Sequence, residues 1–89
     1  MKKVRVIFSE EAEIVYKHLN EVSSESKIER SILNAVNKKI DLIKANYHYG
    51  EPVAKNLIPE EYRTKYSVNN LFRVELPNFW RMIYTLTNN

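Results

Sequence analysis

Residues 71–86 read LFRVELPNFWRMIYTL and contain two segments in which apolar and polar side chains alternate. Successive side chains of a β-strand point to opposite faces, so such alternation is typical of a strand with one buried face. The turn-forming residues Pro77 and Asn78 separate the two segments. We therefore predict an antiparallel β-hairpin whose loop is residues 77–79.

The loop position also predicts the register of this hairpin, because the apolar faces of both strands must cover the same core. The apolar face then pairs Leu76 with Trp80, Val74 with Met82, and Phe72 with Tyr84. The other face sets Glu75 opposite Arg81 and Arg73 opposite Ile83. We expect Trp80 to be buried against the helices that precede the hairpin.

Two helices are predicted upstream of the hairpin. Ser9 can cap the first helix, whose apolar stripe consists of Ala12, Val15, Leu19 and Val22. Ser23 and Ser24 interrupt that stripe and offer a second N-cap. The second helix spans roughly 20 residues and ends near Asn46. Its apolar face is formed by Ile28, Ile32, Ala35, Val36, Ile40 and Ile43. The short link between the helices predicts an antiparallel helix hairpin.

The β-branched segment Val4–Phe8 is predicted to form a strand before the first helix. Pro52 and Pro59 indicate that residues 50–65 are irregular, with at most one helical turn near residues 60–63. The predicted fold is thus α+β within one domain, residues 1–89. Its order is a strand, an antiparallel helix hairpin and an antiparallel β-sheet.

Composition narrows the classes of function. The chain has 89 residues, no cysteine and a net charge of +3, and its basic residues form no block. A phosphate-binding surface would therefore have to be assembled by folding. His18 and His48 have no cysteine or close carboxylate partner, so we expect no metal site and no cofactor. No apolar run is long enough for a signal peptide or a membrane span, and we expect a cytoplasmic protein without a membrane partner.

Three motifs together resemble the RelE/ParE superfamily of toxins from toxin–antitoxin systems. They are Lys55-x-Leu57, the strand NLFRVEL at residues 70–76, and Trp80-Arg81-Met82-Ile83-Tyr84. The order of elements resembles that family over nearly the whole chain. RelE-like members cut messenger RNA on the ribosome without a metal ion, and ParE-like members inhibit DNA gyrase. Members of the family usually pair with an antitoxin, so the resemblance implies an antitoxin protein as partner. For a nuclease, it implies the ribosome and messenger RNA as further partners.

The resemblance also implies site residues. Lys55, Arg73 and Arg81 match catalytic positions at which cations stabilise a phosphorane. Lys55, Arg63 and Lys65 are the candidates for binding RNA. Arg81 opposite Glu75 is also the arrangement of an ordinary cross-strand ion pair on a sheet surface. Both interpretations remain open from the sequence.

Two departures from the nuclease pattern favour an alternative function. Glu75 or Leu76 stands where these nucleases carry a further arginine, and Asn89 comes before the family's last strand, which bears an arginine and a terminal Tyr or His. The alternative is a catalytically silent toxin-like module that binds an antitoxin, a gyrase-type target or a second copy. In either case the segment Trp80–Leu86 is expected to be an edge strand, which an antitoxin strand or the same strand of a second copy in a homodimer would cover, unless the chain end or residues 50–65 fold over it.

Overall fold

The computed structural model describes residues 4–87. The helices and strands are α1 (Glu10–Val22), α2 (Lys27–Ala45), β1 (Glu51–Pro52), α3 (Glu60–Tyr66), β2 (Phe72–Glu75) and β3 (Arg81–Tyr84). Single 3-10 turns lie at Lys55–Leu57 and Pro77–Phe79. The strands form an antiparallel sheet in the order β1-β2-β3. The predicted mixed α+β class is confirmed.

Both helices begin at serine caps. The Ser9 hydroxyl accepts a hydrogen bond from the Ala12 N–H at 3.2 Å, as predicted. The predicted cap at Ser23 or Ser24 is wrong, because Ser26 caps α2 and accepts from the Glu29 N–H at 3.4 Å. Residues 23–25 instead form the turn that closes α1. The helix ends at Ala45, which confirms the predicted end near Asn46.

The helices pack as an antiparallel hairpin around a small core. Leu19 of α1 meets Ile32 and Leu33 of α2, and all three are buried. Farther along, the Tyr16 hydroxyl donates to Asn37 Oδ1 at 2.5 Å, so α1 and α2 run in opposite directions. The predicted α1 stripe is wrong in part, because Val15 is exposed and Tyr16 packs against the core in its place.

The predicted hairpin register is confirmed. The pairs are Phe72 with Tyr84, Arg73 with Ile83, Val74 with Met82, and Glu75 with Arg81. The Leu76 N–H donates to the Trp80 carbonyl at 2.8 Å, which continues the same register up to the loop. Residues 71–76 also contribute most of the buried apolar side chains outside the helices, since Leu71, Phe72, Val74 and Leu76 are all buried.

The predicted burial of Trp80 is wrong, although its register is right. Trp80 is 38% exposed. The reason is its position in the sheet, because β2 has a neighbour on both sides and β3 has a neighbour on one side within residues 4–87. Val74 on β2 is accordingly buried, whereas its partner Met82 on β3 is only half-buried.

The segment Val4–Phe8 forms no strand, so this part of the predicted fold is wrong. The side chains of this segment still alternate in burial, since Val4, Val6 and Phe8 are half-buried while Arg5 and Ile7 are exposed. The Phe8 ring packs against Tyr16 with 4.9 Å between ring centroids. A strand needs a hydrogen-bonded neighbour, and the sheet in residues 4–87 gives this segment none.

Residues 50–65 are more regular than predicted. Glu51–Pro52 pairs with β2, where Glu51 faces Arg73 and Pro52 faces Phe72. Helix α3 covers Glu60–Tyr66 instead of a single turn, and the Tyr62 N–H donates to the Pro59 carbonyl at 3.0 Å at its start. Pro59 therefore begins a helix, a place that proline tolerates well, because the first N–H groups of a helix have no partner within it.

Candidate functional site

Four charged side chains form a row across one face of the sheet. Glu51 Oε2 lies 3.3 Å from Arg73 Nη2, and Glu75 Oε1 lies 4.0 Å from Arg73 Nε and 3.9 Å from Arg81 Nε. The sheet register causes this order, since Glu51 is the cross-strand partner of Arg73 and Glu75 that of Arg81. We call Glu51, Arg73, Glu75 and Arg81 the charged row.

The charged row is formally neutral, with two carboxylates and two guanidinium groups. Its members are between 37% and 69% exposed, so each ion pair is worth at most about 1 kcal/mol. Arg73 Nε is buried and donates no hydrogen bond to any group of residues 4–87, so its contact with Glu75 at 4.0 Å is one of charge. The row therefore holds the two arginines in place without adding much to stability.

An open pocket of about 340 Å³ lies beside Arg73 at the β1 side of β2. The charged row supplies Glu51, Arg73 and Glu75 to its lining, and α2 supplies Lys39. Lys39 Nζ donates to the Tyr49 hydroxyl at 3.0 Å and lies 5.4 Å from the centre of that ring. The pocket thus combines two cations with two carboxylates.

Lys55 and Arg63 lie at a separate pocket of about 230 Å³, which Ile58 and Val68 also line. The Arg63 guanidinium donates to the Lys55 carbonyl, which ties α3 to the 3-10 turn at Lys55–Leu57. No carboxylate lines this pocket among residues 4–87. Lys55 and Arg63 are consequently less neutralised than the arginines of the charged row.

Lys65 lies in a third place, on α3 against α1. Its ammonium and the Tyr66 hydroxyl both contact the Glu11 carboxylate. These two hydrogen bonds, that from Lys65 first, lower the pKa of Glu11 from 4.5 to about 2. The same contact raises the pKa of Lys65, because its charged form is stabilised. Lys65 therefore joins α3 to α1 through an ion pair.

The structure divides the predicted site residues into three groups. Arg73 and Arg81 come together through Glu75, and of these two contacts the ion-pair interpretation predicts the one between Arg81 and Glu75. Lys55 lies with Arg63 at the other pocket, and Lys65 pairs with Glu11. Within the described chain, no hydrogen bond, ion pair or shared pocket joins Lys55 to either arginine.

Tyr84, the last residue of the motif that resembles the toxin family, has a structural contact. Its hydroxyl accepts from the Gly50 N–H at 2.8 Å and donates to the Tyr47 carbonyl at 2.9 Å. Its ring stacks on Phe72, with 5.1 Å between centroids and planes 12° apart. Tyr84 thereby ties the segment between α2 and β1 to β3.

Sequence reasoning missed Glu51, Lys39 and Asn70. Glu51 follows Gly50 in a segment interpreted as irregular, so nothing in the sequence placed it opposite Arg73. Lys39 belongs to the polar face of a helix and gave no signal of its own. Asn70 could have been found, because continuing the predicted register sets it opposite Leu86. Its side-chain amide does pair there, accepting from the Leu86 N–H at 2.8 Å and donating to the Leu86 carbonyl at 3.0 Å.

Comparisons with known proteins give no match: no family model, no curated protein and no solved structure matches this chain. Within residues 4–87, no helix has both the length and the apolar character needed to cross a membrane. Over the same residues, no three His, Cys, Asp or Glu side chains are grouped so that they could hold a metal ion.

Proposed function

We propose that this chain is a RelE/ParE-like toxin-type module that acts by binding a protein, with an antitoxin as its first partner, and that it does not cleave RNA. The observation that carries the proposal is the charged row. Arg73 and Arg81, the two arginines that match catalytic positions of the nucleases, each lie within 4.0 Å of a carboxylate.

The physical reason concerns the charge that a nuclease must stabilise. Cleavage by a ribose 2′-hydroxyl passes through a phosphorane that carries extra negative charge, and preorganised cations lower its energy. A carboxylate about 4 Å from the same guanidinium repels that phosphorane and cancels much of the attraction. Glu51 and Glu75 place such carboxylates on both sides of Arg73. Lys55, the third cation that a nuclease would use, lies at the other pocket.

Family membership in this proposal rests on the order of elements and on the motif strands. Two antiparallel helices precede an antiparallel sheet, and Arg73 and Arg81 lie on adjacent strands in the expected register. The segment Val4–Phe8 departs from the family pattern, since it forms no strand. A protein-binding role uses the fold and does not need the catalytic set, because function depends on the site rather than on the fold. We place this role in the cytoplasm, where a toxin meets its antitoxin.

The proposal is tested with ribosomes stalled on a defined messenger RNA and purified protein, with cleavage read by primer extension. We expect no cleavage by the wild type above background. Cleavage by the wild type that Arg81→Ala abolishes would overturn the proposal. Arg5→Ala is the matched control, since Arg5 is an exposed arginine outside the charged row.

The Lys55 pocket favours a second candidate function, RNA cleavage or RNA binding by a different pair of cations. Lys55 and Arg63 share this pocket, and no carboxylate lines it among residues 4–87. In this case wild-type cleavage in the same assay would be lost in Lys55→Ala and unchanged in Arg81→Ala. That pattern separates the second candidate from the first.

A further inference from the structure

Within residues 4–87, the outer edge of β3 has no hydrogen-bonded neighbouring strand. The hydrogen bond from the Leu76 N–H to the Trp80 carbonyl sets the phase of the β2–β3 ladder. Bonded and non-bonded pairs alternate in an antiparallel ladder, so Met82 and Tyr84 bond to β2, and Arg81 and Ile83 direct their N–H and C=O groups outward. The Leu86 N–H donates to the Asn70 side chain on the β2 side, so the N–H and C=O groups of Thr85 also point outward.

This edge lacks the devices that usually protect edge strands. Such devices are prolines, outward lysines and β-bulges. The segment 80–86 contains no proline or lysine, and the four residue pairs between β2 and β3 are consecutive and without a bulge. Its only charge is Arg81, whose guanidinium is drawn toward Glu75 on β2 and so away from the edge. In the described part of the chain, no other strand lies beside β3.

We propose that the β3 edges of two copies of this chain pair antiparallel across a two-fold axis at Ile83, which joins two three-stranded sheets into one. In this register, Ile83 faces Ile83 of the second copy and Arg81 faces Thr85. A two-fold interface repeats each contact, so Arg81, Ile83 and Thr85 of both copies all find backbone partners. The inference goes beyond the proposed function and does not depend on it.

The side chains of the segment favour this register and this partner. On one face, Ile83 is 44% exposed and would meet its own copy. On the other face, Trp80 would meet Leu86 and Met82 would meet Tyr84, so the partly exposed Trp80 ring gains an apolar neighbour. An axis at Arg81 would set two guanidinium groups opposite each other, which is unfavourable. An axis at Thr85 would set Arg81 opposite residue 89, beyond the described residues. Centring on Ile83 thus pairs apolar with apolar and keeps like charges apart.

Because the chain contains no cysteine, single cysteines can report the register directly. Facing residues have Cα atoms about 5.5 Å apart in a hydrogen-bonded pair. A short bismaleimide should therefore join Ile83→Cys to its copy and give a covalent dimer as the main product on a denaturing gel. Arg81→Cys is the matched control on the same face. It lies four residues from its own copy, or about 14 Å along the strand, and should not be joined. An equimolar mixture of Arg81→Cys and Thr85→Cys should be joined again.

Sedimentation equilibrium of the cysteine-free protein completes the test. We expect the wild type to have the mass of two chains at about 100 μM, and Ile83→Lys, which places two ammonium groups at the axis, to have the mass of one chain. Far-UV circular dichroism checks that Ile83→Lys keeps its helices. A monomeric wild type would overturn the proposal. Dimers with equal cross-linking of Ile83→Cys and Arg81→Cys would also overturn it, because the interface would then lie elsewhere.

Discussion

The close approach of Gly50 to Tyr84 makes Gly50→Ala an informative perturbation. A Cβ at position 50 would lie 2.8 Å from Tyr84 Cε1, 3.0 Å from the Tyr84 hydroxyl oxygen and 3.2 Å from the Arg73 carbonyl oxygen. The backbone conformation is not the obstacle, since the φ angle of Gly50 is not positive. Either the Tyr84 ring moves, or the chain at residue 50 shifts away from β2.

The expected cost follows from what holds the ring. Tyr84 makes hydrogen bonds with the Gly50 N–H and the Tyr47 carbonyl, each worth about 1 kcal/mol, and its ring stacks on Phe72. Steric overlap in a packed site adds about 1–3 kcal/mol, while alanine returns about 0.4–1 kcal/mol by restricting the unfolded chain. We therefore expect Gly50→Ala to lower the free energy of unfolding by about 1.5–3 kcal/mol.

The assay is urea unfolding followed by far-UV circular dichroism, as a double-mutant cycle with Tyr84→Leu. In the Tyr84→Leu background the two closest contacts of the new methyl are absent, so Gly50→Ala should cost less than about 1 kcal/mol. An equal cost in both backgrounds, or a Gly50→Ala variant as stable as the wild type, would refute the proposed role of the Gly50–Tyr84 contact.

Three further predictions concern other parts of the chain. Asn70→Ala removes two hydrogen bonds to Leu86 and should lower the free energy of unfolding in urea by about 1.5–2.5 kcal/mol. The Leu86 amide should also exchange faster with solvent, and an unchanged exchange rate would contradict the prediction. The pKa of Glu11 is lowered to about 2, chiefly by Lys65, so its stabilising effect is complete above about pH 5 and is lost as the pH falls toward 2. Thermal melts of Glu11→Gln should accordingly show a weaker pH dependence between pH 5 and 2 than the wild type, and parallel curves would argue against the contact. Phe79 has a φ of 65°, which strains a residue with a Cβ, and its side chain is fully exposed and contributes no packing. Phe79→Gly should therefore raise the free energy of unfolding by about 1 kcal/mol, and a lower melting temperature would contradict the backbone strain.

The hairpin was predictable because three local signals agree at residues 71–86. Alternation marks the strands, Pro77 and Asn78 mark the loop, and the shared core selects the register. The burial of Trp80 was not predictable from the same signals, since the exposure of a strand depends on its place in the sheet. That place is a long-range property that no local pattern encodes.

The errors at Val4–Phe8 and at Glu51–Pro52 have one physical cause. Strand propensity in Val4–Phe8 describes a side-chain pattern, but a strand forms only where another backbone supplies its hydrogen bonds. Conversely, Glu51–Pro52 has little strand propensity and still pairs with β2. Pro52 is tolerated there because β1 is an edge strand of the sheet in residues 4–87, where a missing N–H need not break the ladder. Helix α3 was missed for another reason, because the prediction for this segment rested on its prolines. The charges of α3, with Glu60 and Glu61 first and Arg63 and Lys65 last, favour a helix.

The candidate site was half predictable. The hairpin register placed Arg81 opposite Glu75 in advance, and the structure has that ion pair. The neutralisation of Arg73 by Glu51 was not predictable, because it depends on the pairing of β1. This second carboxylate is what turns a basic pair into the neutral charged row.

The central claim is that the carboxylates of the charged row keep its arginines from binding phosphate. The salt dependence of binding to a single-stranded RNA oligonucleotide tests it most directly. Fluorescence anisotropy would compare the wild type with the double variant Glu51→Gln/Glu75→Gln. Each phosphate contact on a single strand steepens the dependence of log K on log salt concentration by about 0.7. We expect weak wild-type binding. In the double variant Arg73 and Arg81 no longer have carboxylate partners and can each contact a phosphate, so the slope should be steeper by about 1.4. Tight wild-type binding that Arg73→Ala abolishes, with no gain in the double variant, would contradict the neutralised row and the protein-binding function proposed from it.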